Sequence, residues 1–160
     1  MTGSLVNSAR KGNPVITMSR RFDFEQFLNL VKEHQPNRAH LVPPILVTLA
    51  KHPLVDNYDF SSLNCVVSAA APLGLDTENA VKERLGCEVK QAWGMSELSP
   101  IGTINSDFSI KPASVGPLVS NTYGKILDET GKSLGPNEPG ELVLKGPQVM
   151  MVRQNDFTVL

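Results

Sequence analysis

The chain of 160 residues is 41% hydrophobic and 19% charged, with 15 basic against 16 acidic side chains, the composition of one globular domain able to bury a sizeable core. That balance, without a basic run, argues against nucleic acid and anionic membrane surfaces as partners, and no apolar run spans a bilayer, residues 41–50 being short and broken by paired prolines. The polar N-terminus has no signal-peptide core, and Cys65 and Cys87 form neither a CxxC nor a second pair, so a cytoplasmic chain with two buried thiols is expected.

Residues 1–4 (MTGS) suggest no clear first element, and the β-branched run at residues 14–18 (PVITM) predicts a strand. Residues 22–31 place Phe24, Phe27, Leu28 and Val31 at helical spacing with charges between them. Residues 40–42 return to an extended apolar pattern, Pro43 and Pro44 open a helix running to residue 50, and residues 59–62 read as a turn. A third strand is predicted at residues 65–67, a helix at 75–85 with Glu78, Lys82 and Glu83 exposed, and a fourth strand at 88–91. This βαβαβαβ order predicts an α/β fold: a mostly parallel sheet with flanking helices, whose ligands sit beyond the carboxyl ends of the strands. After Pro100 glycine and proline recur, and residues 123–127 and 141–145 are short strands of a β-rich segment. The implied organisation is an α/β unit over residues 1–110, a β-rich segment over 111–150 and an atypical tail over 151–160.

Two segments of small residues follow predicted strands: Ser68-Ala69-Ala70-Ala71-Pro72 and Ala92-Trp93-Gly94-Met95-Ser96-Glu97. Small side chains let a flat ligand approach the backbone. Trp93, the only tryptophan, offers a π face to a base, and the Ser96 hydroxyl and Glu97 carboxylate are hard oxygen groups suited to a phosphate and its Mg²⁺. Each feature also has a structural reading: a strand-end tryptophan in the core, a Ser-Glu pair capping a helix, and alanine turns that reflect tight packing. His34, His40 and His52 have no metal-ligand spacing, Gly-x-Ser-x-Gly is absent, and the run at residues 82–84 is most simply a solvated helix face.

The combination is more specific than its parts. Ser68-Ala-Ala-Ala-Pro-Leu73, then Gln91-Ala-Trp-Gly-Met-Ser-Glu97, then Gly116-Pro117 and Gly140-Glu-Leu-Val-Leu-Lys-Gly-Pro147, resembles the adenylate-forming (AMP-dependent synthetase and ligase) superfamily, which includes acyl-CoA synthetases, 4-coumarate–CoA ligases and firefly luciferases. The resemblance runs from about residue 12 to residue 151. It implies a ligase that activates a small carboxylic acid with ATP to an acyl-adenylate and passes the acyl group to coenzyme A. Trp93 would stack on adenine, with Ala70, Ala71, Pro72, Gln91, Ala92, Gly94 and Met95 around the nucleotide. The catalytic pair would be Ser96 on the α-phosphate and Glu97 on the Mg²⁺. Ala69, Ala92, Gly94, Pro100 and Ile101 would line the acyl pocket.

Departures from the family pattern go with it. No Ser/Thr/Gly-rich loop ending in Pro-Lys-Gly occurs in these residues, nor the family's downstream ribose-binding Asp, Arg and catalytic Lys, and residues 150–154 (MMVRQ) replace the usual continuation. Position 92 is alanine where glycine is usual, which narrows the pocket. The expected object is therefore a central fragment of such a ligase, inactive alone; the alternative is a truncated, non-catalytic remnant that binds nucleotide or another chain. The acid and the oligomeric state are left open.

Overall fold

A computed structural model describes residues 2–18 and 21–151. The chain opens on α1 (Thr2–Lys11), where the sequence suggested no element. Arg10 and Lys11 lie in its last turn at the negative end of the helix dipole, and it stops at Gly12, whose φ of 69° carries the Asn13 N–H back to Ser8 O at 2.9 Å. Residues 14–18 are not the predicted strand: Val15 and Ile16 are exposed. β-branching supplies propensity, but a strand exists only where a neighbour takes its N–H and C=O groups.

From α2 (Phe24–His34) onward the chain alternates. Asp23 caps α2 by accepting the Gln26 N–H at 2.7 Å, and Gln35 ends it in the left-handed region. β1 (Arg38–Leu41), α3 (Pro43–Lys51), a 3-10 turn (Pro53–Asn57), β2 (Cys65–Ser68), α4 (Leu75–Leu85) and β3 (Glu88–Trp93) follow. Proline opens α3 where a free N–H would have no partner, and Gly86, at φ 65°, closes α4. A turn at Ser96–Leu98 leads to β4 (Thr103–Ile104), which the sequence did not announce, and then to β5 (Tyr123–Leu127) and β6 (Glu141–Lys145).

The main sheet has the order β1-β2-β3-β4, with the first three strands parallel and β4 antiparallel. β5 and β6 make a separate antiparallel pair, joined to the main sheet's loops by the Val119 N–H to Gly102 O and the Met150 N–H to Glu97 O. Because side chains alternate along a strand, the main sheet has two faces. Ala39, Leu41, Val66 and Val89 pack with Leu28, Val31, Leu46, Leu49, Val81 and Leu85 of the helices, while Cys65, Val67 and Ala92 form a second cluster with Ala69 and Ile104.

Two surface assignments change. Glu78 is buried, since 78, 81 and 85 share the inward face of α4. Arg84 is no solvated charge: its guanidinium donates to Leu49 O at 3.2 Å and His52 O at 2.9 Å, satisfying carbonyls at the end of α3, and pairs with Asp56 at 2.6 Å.

Candidate functional site

The carboxyl ends of β2 and β3 lie side by side, with Ser68 opposite Gln91 in register. Ala70, Ala71 and Pro72 leave β2 as an exposed loop, Ala70 at φ 77°. The loop is pinned from β3: the Leu73 N–H donates to Gln91 Oε1 and Gln91 Nε2 donates to Leu73 O, each at 3.1 Å. The same Nε2 donates to Glu78 Oε2 at 2.9 Å. The Gln91 side chain is thus buried and engaged behind the loop, which it holds in place.

Trp93, two residues on, points to the same face as Gln91 by strand alternation. It is 37% exposed and lies outside both buried clusters. Its ring edge rests on Gly102, where a Cβ would come 2.8 Å from both Trp93 Cζ3 and Leu98 Cδ1. Ser96 and Glu97 begin the turn after β3, Ser96 exposed and Glu97 half-buried. The capping residue of that turn is Met95, in extended conformation and without a side-chain bond, so Ser96 is not spent as a cap. Among the described residues neither the Ser96 hydroxyl nor the Glu97 carboxylate has a hydrogen-bond or ion-pair partner, while Glu97 O receives the Met150 N–H at 2.8 Å. Two further hydroxyls, Ser68 Oγ and Thr103 Oγ1, are buried without partners among the described residues, in register with Gln91 and Trp93.

The expected acyl lining divides three ways. Ala69 and Ala92 belong to the small cluster on the opposite face, walled by Cys65, Val67 and Ile104. Pro100 and Ile101 line a cavity of about 320 Å³ shared with Leu98, Ile104, Val119 and Gln148. Gly94 is exposed and is not among the residues lining that cavity; a Cβ there would fall on Pro100 O and Ile101 Cα, so its lack of a side chain serves the fold-back of the loop. Ile104 borders both the cluster and the cavity.

On that second face lies an ion cluster. Lys90, 4% exposed, donates to Asn105 O at 3.1 Å and to Asp107, which also takes both terminal nitrogens of Arg38, at 2.5 and 3.2 Å. Hydrogen bonds from Arg38 and then Lys90 hold the Asp107 carboxyl down at about 2. Burial pushes the Cys65 thiol up and takes that of Cys87 to about 11, so neither is a nucleophile at neutral pH. Of the histidines, His52 Nδ1 accepts the Leu54 N–H at 3.2 Å and His34 is exposed beside Glu33.

Sequence reading gave no site role to Glu78, Thr103 or Ile104, nor to Ser68 and Leu73 beyond their place in the quoted motif. Only Glu78 carried a usable signal, its place three residues before Val81 and seven before Leu85 on the buried stripe of α4.

Comparison with known proteins agrees with the fold. Residues 1–152 match the family model described as AMP-binding enzyme. The chain is 40% identical over 159 residues to 4-coumarate–CoA ligase 1 of Solanum tuberosum, covering 95% of this chain and 29% of that enzyme. It is 38% identical over 155 residues to a probable 4-coumarate–CoA ligase 2 of Dictyostelium discoideum, covering 95% and 28% respectively. Among solved structures it superposes on a long-chain-fatty-acid–CoA ligase from Archaeoglobus fulgidus with a TM-score of 0.84 at 25% identity, over 92% of this chain and 32% of that one. An anthranilate–CoA ligase in complex with anthranoyl-AMP gives 0.74 at 25% identity, over 79% and 24%. The chain therefore spans less than a third of the length of these relatives, and with its parallel sheet, its two strand-end loops and the family-model match across nearly all its residues, it belongs to the AMP-binding enzyme family.

Proposed function

We propose that the chain supplies the adenosine platform and part of the acyl pocket of an AMP-forming acid–thiol ligase. In that reaction a small carboxylic acid attacks the α-phosphate of ATP, releasing pyrophosphate and giving an acyl-adenylate. The coenzyme A thiol then displaces AMP and forms the thioester. The observation that carries the reading is the exposed face of Trp93 beside the Ala70-Ala71-Pro72 loop, with the Ser96 and Glu97 side chains unspent at the same strand end. The names of the relatives, ligases of aryl and fatty acids, support an acid with an apolar body as substrate.

In this reading Trp93 stacks on adenine, while Ala70, Ala71 and Pro72 bring backbone close to the base. Gln91 fixes the height of their loop, and Met95 closes the strand side. Gly94 lets Pro100 and Ile101 fold back over the strand end. Ser96 donates its hydroxyl proton to an α-phosphate oxygen. The donor chemistry suits Mg²⁺: Glu97, a hard carboxylate unclaimed by any cation among the described residues, would hold the ion together with phosphate oxygens. The ion's contribution when bound is neutralisation of phosphate charge. In this reading Ala69, Ala92, Pro100 and Ile101 line the acyl body, with Cys65, Val67 and Ile104 behind.

Titration of the 160-residue chain with AMP, followed by quenching of its one tryptophan, tests the platform. Saturable quenching that guanosine monophosphate reproduces poorly supports it; absence of quenching and of calorimetric heat overturns it. The same chain should give no ATP–pyrophosphate exchange with cinnamic or fatty acids, because its 160 residues hold neither a Pro-Lys-Gly phosphate loop nor the downstream lysine implied by the resemblance. Robust exchange by the pure chain would contradict that division of labour.

A further inference from the structure

Burying a carboxylate costs several kcal/mol unless donors replace its water. Glu78 is 4% exposed in the first turn of α4, where the helix dipole favours negative charge, and no cation pairs with it among the described residues. Its partners are two N–H groups on one oxygen: Gln91 Nε2 at 2.9 Å and the backbone N–H of Ala113 at 3.2 Å. These donors belong to distant stretches. Gln91 carries the bond onward to both the N–H and the carbonyl of Leu73, the last residue of the strand-end loop. Ala113 stands at φ 54° in a stretch that Asn105 also grips, through Ser114 O at 2.5 Å and the Lys111 N–H at 3.2 Å. A carboxylate only accepts, so one of its oxygens meets an amide NH₂ and a backbone N–H together.

We propose that Glu78 is a positioning residue that sets, from the helix side of the sheet, both the loop at residues 69–73 and the stretch at residues 111–115. Its effect on nucleotide binding rests on the function proposed above; its effect on the two loops does not. Loss of the carboxylate frees Gln91 to rotate, and the loop then loses its fixed height beside Trp93. The 111–115 stretch loses the acceptor for the Ala113 N–H at the same time.

Amide hydrogen exchange on the 160-residue chain, well below its melting temperature, decides this. In Glu78→Leu, exchange at Leu73 and Ala113 should quicken by about tenfold or more relative to Val66 and Val89 in the adjoining strands. Glu78→Gln retains an acceptor oxygen and should recover most of the protection. Gln91→Met cuts only one arm, so Leu73 should lose protection while Ala113 keeps it, and this variant decides the matter if Glu78→Leu does not fold. Unchanged exchange at both amides, or uniform quickening across β2 and β3, overturns the proposal in favour of a merely structural carboxylate. In a second arm the AMP dissociation constant should rise about tenfold in Glu78→Leu and return to within about threefold of the parent in Glu78→Gln. A parent chain that binds no AMP overturns the nucleotide platform, and the exchange measurement still judges Glu78 by itself.

Discussion

Trp93 rests a ring edge on Gly102, stands outside both buried clusters and keeps 37% of its surface exposed, so its removal takes away a platform more than core. Trp93→Ala should weaken AMP binding about five- to 150-fold, the equivalent of about 1–3 kcal/mol for one stacked base, with a melting temperature near that of the parent. Calorimetric titration and a thermal melt separate this from core packing, which predicts a large fall in melting temperature with AMP affinity kept. Gly94→Ala should do the reverse. Its Cβ would occupy the place of Pro100 O, so the loop must move at a cost of about 1–3 kcal/mol in denaturant unfolding. Trp93, Ser96 and Glu97 were legible in the sequence because they stand in one contiguous stretch, and a linear motif needs no fold to bring it together. Glu78 and Leu73 were not, because their bonds to Gln91 cross 13 and 18 residues of chain. Gly94 was legible as small but not as to why, since the backbone that fills its side-chain space arrives from Pro100.

Helices α2, α3 and α4 were legible because apolar spacing and caps coincide: Asp23 before α2, Pro43 at the start of α3, Gly86 after α4. The run at residues 14–18 had strand composition without a partner, and β4 had a partner without a pattern, being a two-residue strand set by its pairing with Ala92 and Trp93. The stretch after β4 is tied back by charge. Asp107 joins Arg38 at the start of β1 to Lys90 in the middle of β3, a link 69 residues long on one side and 17 on the other. Its folded-state carboxyl, near 2, lies below the ordinary 3.8, so the link contributes in full above about pH 4 and is lost as pH falls toward 2. Asp107→Asn should unfold at lower urea concentration than the parent at pH 7, because Lys90 remains buried with a weaker partner. The gap between the two midpoints should narrow from pH 4 to pH 2. A gap independent of pH would assign the loss to packing.

At the level of the whole chain, the main sheet is a partition: helices α2, α3 and α4 and Trp93 belong to one side, and the alanine cluster and the ion cluster to the other. The same partition sets the chemistry of the thiols, Cys87 in the helix-side core just after α4 and Cys65 on the far face of β2. Both are buried, and neither forms a disulfide. For Cys87, desolvation comes first and the neighbouring Cys65 next, raising the thiol from 9.0 to about 11. A thiol raised in the folded state favours folding most where it stays protonated: its contribution is whole below pH 9 and is lost as pH rises through 11. At pH 8 about one Cys87 in a thousand would be thiolate, and burial hides even that fraction from a reagent. Iodoacetamide at pH 8 should therefore leave both cysteines unmodified while the chain is folded and label both once urea unfolds it, with the labelling rate tracking the unfolded fraction. Between pH 9 and 11 the urea midpoint of the parent should fall more steeply than that of Cys87→Val, whose buried methyls do not titrate. Rapid labelling of Cys87 without denaturant, or parallel alkaline losses in the two chains, would place that thiol in water rather than beneath α4.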